Sequence, residues 1–120
     1  MKVKGDIPTD NRSHTFCPDC WAETIQPYDR EGKEFYRCDS CGYDDSRAII
    51  IYPQMRYEIK DDQELLHYSA GAIIEWKGRF LLFRRRLFPF QYTVIAGHWD
   101  LDDPTPADAI VREVKEESGL

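Results

Sequence analysis

Residues 105–120 read TPADAIVREVKEESGL, and this stretch has the features of a single capped helix. Thr105 supplies a hydroxyl N-cap, Pro106 occupies the first helical position, and Asp108 adds a carboxylate in the first turn. Gly119 is the matching stop, because glycine readily takes the left-handed conformation that ends many helices. The sequence therefore predicts a helix from Pro106 to Ser118. Four apolar side chains fall on one arc at helical spacing and are expected to face a core: Ala107, Ile110, Val111 and Val114.

Three carboxylates share another face of this predicted helix. Glu113, Glu116 and Glu117 are spaced i, i+3 and i+4, which places them within a sector of roughly 100°. They repel one another, and they lie in the last two turns, where the helix dipole disfavours each acidic group by up to about 1 kcal/mol. A hard divalent cation, Mg²⁺ or Mn²⁺, relieves that repulsion. The charge pattern alone leaves an alternative, a solvated acidic face with Lys115 nearby.

The four cysteines of the chain form two C-x2-C pairs. The first pair is Cys17 with Cys20, the second is Cys38 with Cys41, and seventeen residues separate the pairs. Each pair points two thiolates at one centre, and two pairs complete a tetrahedron of sulfur around zinc. Four sulfur ligands leave no open coordination position, so the predicted zinc is structural rather than catalytic. Two disulfides or a redox-active pair are the disfavoured alternatives, since nothing in the sequence indicates an oxidising compartment.

The segment between the cysteine pairs has the pattern of a β-hairpin. Ile25 to Tyr36 contains two short extended stretches around the polar turn from Arg30 to Lys33. Gly42 directly follows the last cysteine and can take the positive φ that such a tight turn often needs. The sequence therefore predicts a small β structure, a zinc ribbon, over residues 16–46.

The remainder of the chain divides into three parts. We predict a flexible N-terminus over residues 1–15, a strand and charged connector over 47–66, and a second domain over 67–120. In that domain, two predicted strands, Ser69 to Trp76 and Arg79 to Arg85, flank a tight turn at Lys77-Gly78. Their small and apolar residues predict a hairpin buried on both faces. Arg86 to Gln91 is predicted to be a loop.

Charge and composition exclude several classes of partner. The net charge is −6, and no broad basic field is present, so we expect no nucleic-acid partner. Residues 1–15 are polar and contain no apolar segment of the kind found in signal peptides and membrane anchors. We therefore expect a cytoplasmic protein that does not associate with a membrane.

The segment from Arg112 to Leu120 resembles the second half of the Nudix box, the motif Gly-x5-Glu-x7-Arg-Glu-aliphatic-x-Glu-Glu-x-Gly-aliphatic. All seven specified positions of that half match, and a hairpin and a glycine precede the helix as they do in the family. The first half of the box departs from the pattern. Gly97 takes the glycine position only with a one-residue insertion in the loop Asp100 to Thr105, which puts Asp103 where the family has glutamate.

The resemblance implies a fold class. The Nudix fold is an α/β/α sandwich with a mixed sheet, and a cysteine ribbon placed before it resembles the zinc-ribbon subgroup that includes NADH pyrophosphatases. We therefore expect an α+β chain, in which a four-cysteine zinc ribbon precedes the N-terminal part of a Nudix domain. The family's remaining strands and C-terminal helix would follow Leu120, so we expect an incomplete domain, and a 120-residue chain that is inactive alone. Exposed sheet edges are expected to allow a homodimer.

The resemblance also implies a function, the hydrolysis of a nucleoside diphosphate linked to another moiety. Glu113, Glu116 and Glu117 would hold the catalytic Mg²⁺ or Mn²⁺, and Arg112 would orient them, while the cysteines would hold a structural Zn²⁺. The expected partner is thus a small molecule derived from a nucleotide. An alternative from another class is a zinc-ribbon binding module whose Nudix-like domain is catalytically inactive. The altered first half of the box favours this alternative, and the intact second half favours the hydrolase.

Overall fold

The computed structural model describes residues 1–86 and 91–120. Most of the predicted loop from Arg86 to Gln91 lies outside the described residues. The chain divides into two compact units: the first comprises Met1–Pro53 with Tyr57–Leu66, and the second comprises Gln54–Arg56 with His67–Leu120. Within these described ranges, no helix is long and apolar enough to cross a membrane.

Short antiparallel strands build the first unit. They are β1 (His14–Phe16), β2 (Ile25–Arg30), β3 (Lys33–Cys38), β4 (Asp44–Asp45), β5 (Ile49–Ile51), β6 (Tyr57–Ile59) and β7 (Leu65–His67), whose last residue belongs to the second unit. β1 pairs with β5, and β6 pairs with β7. A separate three-stranded sheet contains β2, β3 and β4. Segment 1–15 includes Val3, which is buried and donates its amide to the carbonyl of Gln63. The flexibility of this segment stays a prediction.

The hairpin predicted between the cysteine pairs is confirmed. β2 and β3 pair from Ile25 opposite Cys38 to the pair that flanks the turn Glu31-Gly32. Both turn residues have positive φ, 54° and 79°, which is the two-residue turn whose twist matches that of the flanking strands. Because Ile25 and Cys38 are opposite each other and both buried, the hairpin contributes its first and last side chains to the cysteine core.

The two cysteine turns have the same backbone geometry. The amide of Trp21 donates to the carbonyl of Cys17 at 2.9 Å, and the amide of Gly42 donates to the carbonyl of Cys38 at 3.0 Å. Both donors have positive φ, 64° for Trp21 and 80° for Gly42, which confirms the predicted role of the glycine. Trp21 takes the same conformation against its steric preference, and its indole stacks on Phe16 at a centroid distance of 4.5 Å.

The second unit places one helix on a short antiparallel ladder. Its elements are β8 (Ser69–Ala72), β9 (Glu75–Trp76), β10 (Arg79–Phe80), β11 (Phe83–Arg84), β12 (Tyr92–Thr93), β13 (Ile95–His98) and α1 (Pro106–Ser118). β8 pairs with β13, β9 with β10, and β11 with β12. α1 packs against β8 and β13, and the fully buried side chains of this layer are Ile95 and Ala109.

The predicted hairpin of the second unit is confirmed at its turn and wrong in its burial. Lys77 and Gly78 form the turn with φ values of 50° and 74°. The side chains of Trp76 and Phe80 are, however, 73% and 63% exposed. Within the described residues β9 and β10 pack mainly against each other, so neither face of this hairpin is covered. The two predicted strands are also interrupted, since β8 pairs with β13 and β11 pairs with β12, and only β9 and β10 pair across the turn.

The predicted apolar arc of α1 is partly wrong. Ile110 and Val114 are half-buried, but Ala107 is exposed and Val111 is 67% exposed. The helix instead buries Ala109, and the neighbouring positions on that face belong to polar side chains that form ion pairs. Apolar periodicity misses such a face, because an arginine paired with carboxylates can be buried as well as a leucine.

The mixed sheet of the Nudix fold does not occur among the described residues. Every strand pair found there is antiparallel, and α1 is the one helix. A parallel pair needs a crossover connection of about a dozen residues, usually a helix, and α1 follows all thirteen strands in the chain. The described residues are therefore α+β, as predicted, and they do not form the layers of an α/β/α sandwich.

Both predicted caps of α1 are confirmed, and the N-cap gives a stability prediction. Thr105 Oγ1 accepts from the amide of Asp108 at 3.1 Å, and Gly119 ends the helix at φ 74°. We expect Thr105→Ala to lower the free energy of unfolding by about 1 kcal/mol, because one amide of the first turn loses its acceptor. Urea unfolding followed by circular dichroism measures this difference. Thr105→Ser, which keeps the hydroxyl, is the matched control, and an equal loss in both variants would contradict the assignment.

Candidate functional site

The four cysteines lie around one centre in the first unit. The Sγ atoms of Cys17 and Cys41 are 3.6 Å apart, those of Cys20 and Cys38 are 3.7 Å apart, and all four lie within 4.8 Å of one another. Sulfurs bound tetrahedrally to zinc at 2.3 Å are about 3.8 Å apart, so the observed separations fit that ion. The cysteines are free thiols. The group could therefore hold zinc without a change of fold.

The surroundings of Cys38 favour a thiolate. Its side chain is 1% exposed and belongs to a small core with Cys17 and Ile25. The hydroxyl of Thr24 donates to Cys38 Sγ at 3.5 Å and lowers the pKa of this thiol to about 6, against the opposing effect of burial. A thiol with this pKa is largely ionised at neutral pH, which is the form that binds metal.

Arg112 is the centre of a polar cluster in the second unit. Its Nε and Nη2 donate to the carboxylate of Asp103 at 3.0 Å and 2.8 Å. Nη2 also donates to the carbonyl of His98 at 3.0 Å, while Nη1 donates to Glu113 at 2.7 Å and to Glu116 at 3.3 Å. Each of the five N–H groups of the guanidinium therefore has an acceptor.

Asp103 is the buried partner of this arginine. Its residue is 6% exposed, both carboxylate oxygens accept from Arg112, and one of them also accepts from the amide of Asp100 at 3.1 Å. Hydrogen bonds from Arg112 hold the pKa of the Asp103 carboxyl below its ordinary value. Asp103 and then Glu113 in turn raise the pKa of Arg112. The carboxylate predicted to take the place of the Nudix-box glutamate is thus engaged in a bidentate ion pair.

Two aromatic and cationic side chains fasten the loop that carries Asp103. The indole N–H of Trp99 donates to the carbonyl of Asp103 at 3.0 Å. The guanidinium of Arg56 lies 4.3 Å from the centre of the Trp99 ring and donates to the carbonyls of Asp100 and Asp103 at 3.4 Å and 3.3 Å. Arg56 was not among the predicted site residues, and it lies in the segment 47–66 predicted as a strand and connector. Its partners lie far along the chain, and no local pattern marks such a contact.

Gly97 is required by the close approach of a carboxylate. A Cβ atom on Gly97 would lie 2.1 Å from Cδ of Glu113 and 2.3 Å and 2.4 Å from its two oxygens. The Glu113 side chain is only 14% exposed, and Arg112 Nη1 binds it from the other direction. Glycine at position 97 therefore allows the helix carboxylate to rest on the backbone of β13.

The structure brings together two of the three predicted metal-binding glutamates. Glu113 and Glu116 both accept from Arg112, and the Glu116 side chain is 58% exposed. Glu117 is exposed and is not among the carboxylates that Arg112 holds. In the described residues the three glutamates do not form a set with oxygens all within 4.8 Å of one another.

A second group with metal-ligating atoms was missed by our sequence analysis. His67, His98 and Asp100 place one ligand atom each within 4.8 Å of the others. The two imidazole rings meet edge to face at a centroid distance of 4.1 Å. His98 and Asp100 are two residues apart, which puts them on one side of an extended chain. The position of His67 depends on strand register, which the sequence alone does not reveal.

Comparison with protein families finds one match. Residues 65–120 match the NUDIX domain, which supports the resemblance carried by the segment from Arg112 to Leu120. The match indicates, in general terms, a hydrolase of nucleoside diphosphate derivatives. Comparison with curated proteins gives no match, and neither does comparison with solved structures.

The contact between Gly97 and Glu113 gives a prediction about packing. We expect Gly97→Ala to lower the free energy of unfolding by about 1–3 kcal/mol, because the added methyl displaces a carboxylate from its ion pair. In the Glu113→Ala background the same substitution should be at least twofold less destabilising, since the clashing group is gone. Chemical unfolding of the four proteins of this cycle measures the coupling.

Gly71 provides the matched control for this cycle. It lies on the paired strand β8, and a Cβ there would have its nearest neighbour at 3.6 Å, an ordinary contact. Gly71→Ala should therefore change stability by less than about 0.5 kcal/mol. Equal destabilisation by Gly97→Ala with and without Glu113 would contradict the proposed contact.

Proposed function

We propose that the second unit binds Mg²⁺ or Mn²⁺ through Glu113, Glu116 and Glu117 and hydrolyses a nucleoside diphosphate linked to another moiety. The match of residues 65–120 to the NUDIX domain supports this class of reaction. The observation that carries the assignment of residues is the cluster around Arg112. One guanidinium there faces four carboxylates, those of Asp100, Asp103, Glu113 and Glu116.

The charge of this cluster favours a cation. Two guanidinium groups, Arg112 and Arg56, and four carboxylates, those of Asp100, Asp103, Glu113 and Glu116, leave a net charge of −2, and Glu117 on the same helix adds to it. An uncompensated negative charge in a partly buried site attracts a positive ion more strongly than it would in water. Carboxylate oxygens are the ligands that Mg²⁺ and Mn²⁺ prefer. Because Arg112 and Asp100 occupy both oxygens of Asp103, we assign binding of the ion to the three glutamates.

The residues of the cluster around Arg112 have separate roles in this proposal. When bound, the divalent ion would neutralise phosphate charge and activate the attacking water. Arg112 is a positioning residue, which holds the Glu113 carboxylate over Gly97 and leaves the more exposed Glu116 accessible from solvent. Asp103 anchors Arg112 from the opposite side. The proposed substrate is a small molecule derived from a nucleotide, whose phosphates approach the exposed end of the cluster.

A binding module without catalysis is the second candidate. Arg112 Nη1 donates to both Glu113 and Glu116, so one oxygen of each is already engaged. In addition, the shorter Asp103 stands where the Nudix box has glutamate, and both of its oxygens have donors. In this alternative the carboxylates serve to hold α1 on β13, and the zinc ribbon provides the functional surface.

We also propose that the four cysteines hold a structural zinc ion. The separations of 3.6 Å and 3.7 Å between sulfurs and the convergence of all four sulfurs on one centre support this assignment. A unit this small has a limited apolar core, so a metal centre would contribute much of its stability. Four thiolates that are kept reduced fit the cytoplasm, which is the proposed location.

The zinc proposal predicts one tightly bound ion per chain. Elemental analysis of protein purified without added metal should find it, because four thiolates enclose the ion and leave no position for exchange with water. Cys38→Ser should release the zinc and increase amide hydrogen exchange over residues 17–45. Asp39→Asn, in the same turn, should keep it. A folded protein with four free thiols and no metal would contradict the proposal.

The hydrolase proposal predicts a loss of metal binding and of activity without a loss of stability. Glu116→Gln and Glu117→Gln should each weaken Mn²⁺ binding, measured by electron paramagnetic resonance of the free ion, and remove most divalent-dependent hydrolysis. Both groups are exposed, so the free energy of unfolding should change by less than about 0.5 kcal/mol. The hydrolysis assay follows product release from a panel of nucleoside diphosphates joined to sugars or to a second nucleoside.

Glu75→Gln is the control for this experiment, since Glu75 is an exposed carboxylate on β9 outside the cluster. Retention of Mn²⁺ binding and hydrolysis by both helix variants would show that the glutamates are a solvated face. If the wild-type chain binds Mn²⁺ but hydrolyses no member of the panel, the proposed reaction is contradicted and the binding module is favoured.

A further inference from the structure

His67, His98 and Asp100 lie together because of the register between β8 and β13. Ile95 pairs with Ala72 and His98 pairs with Ser69, so the numbers of opposite residues add to 167. The amide of Trp99 donates to the carbonyl of Tyr68 at 3.1 Å, which extends the ladder by one pair in the same register. The next pair in this register is Asp100 opposite His67. Because side chains alternate along a strand, His67, His98 and Asp100 share one face.

This face differs from the one that meets the helix glutamate. Gly97 is adjacent to His98, and a Cβ on Gly97 would meet Glu113. The alternation of the pleat therefore directs His98 away from the side on which Glu113 rests. The two groups are linked through Arg112 Nη2, which donates to the carbonyl of His98 at 3.0 Å and lies 3.8 Å from the carboxylate of Asp100. The histidine group is thus a separate set of ligands on the same short ladder.

The donor set is suited to a transition metal. Two imidazoles and one carboxylate form the three-ligand sets that bind Zn²⁺ or Fe²⁺ and leave open coordination positions. Two ligands at about 2.1 Å from one ion can be at most about 4.2 Å apart, so atoms already within 4.8 Å need only small side-chain rotations. Both histidines are exposed and Asp100 is half-buried, so an ion can reach the group from solvent.

We propose that His67, His98 and Asp100 form a second metal site, which takes Zn²⁺ or a similar transition ion in preference to Mg²⁺. Imidazole nitrogen selects for such ions, whereas the helix glutamates offer only oxygen. Three ligands with open positions bind less tightly than four enclosed thiolates, so this ion exchanges with solvent while the ribbon zinc does not. The bound ion joins the last residue of β7 to the end of β13 and leaves a coordination position for water or an anionic oxygen.

The histidine content of the chain makes a direct test possible. There are three histidines, and the third, His14, is held between Asp10 and Glu23 in the first unit. Imidazole ¹⁵N spectra of the labelled full chain, with the cysteine site already loaded with zinc, are recorded during a titration with Zn²⁺. The signals of His67 and His98 should shift together and saturate at one added equivalent, and those of His14 should not move. Mg²⁺ in excess should leave all three unchanged.

Substitutions separate a specific site from surface binding. His67→Gln and Asp100→Asn should each weaken the added Zn²⁺ by more than about tenfold, because loss of a ligand exceeds the roughly 10–100-fold effect of losing an outer-shell partner. His14→Gln is the matched control and should leave the affinity unchanged. Signals that do not move, that move equally for all three histidines, or that keep drifting without saturation would each overturn the proposal.

Discussion

The bidentate ion pair between Arg112 and Asp103 is the interaction on which the second unit depends. It joins α1 to the loop that follows β13, and it leaves Nη1 free to bind Glu113 and Glu116. Because Asp103 is 6% exposed, removal of the arginine would leave a buried carboxylate without compensation, which is far more destabilising than loss of a surface pair. The same guanidinium therefore attaches the helix and sets the position of two proposed metal ligands.

The first unit depends instead on the geometry of its two cysteine turns. Its two cysteine turns use one backbone conformation twice, with Gly42 in one and Trp21 in the other. A positive φ is disfavoured for tryptophan by about 1 kcal/mol, and stacking on Phe16 offsets a comparable amount. The symmetry of the turns thus reflects the geometry needed to direct sulfurs at one point, while the residue that follows the second cysteine differs between them.

Features coded within a few residues were predictable from the sequence. The caps Thr105 and Gly119, the turn Lys77-Gly78 and the hairpin between the cysteine pairs all depend on local conformational preference. Features that depend on strand register were not predictable. The approach of His67 to His98 and the contact between Gly97 and Glu113 arise from pairings that no single segment encodes. The exposed Val111 illustrates a third case. The apolar periodicity of α1 was visible in the sequence, but the face of the helix that packs carries ion-paired polar side chains beside Ala109.

The chain presents three ligand sets of different chemical softness: four thiolates, two imidazoles with a carboxylate, and the carboxylates of one helix face. The chemical softness of its ligands determines which metal each set selects, because thiolate and imidazole favour zinc-like ions and oxygen favours Mg²⁺ or Mn²⁺. Sets that lie on one ladder can therefore differ in the ion they select. Asp100 is the residue at which two of these sets meet, since it faces His67 and also lies 3.8 Å from Arg112. An ion bound by the Asp100 carboxylate would place positive charge near the guanidinium of Arg112, so the two sets are coupled through electrostatics as well as through a shared residue.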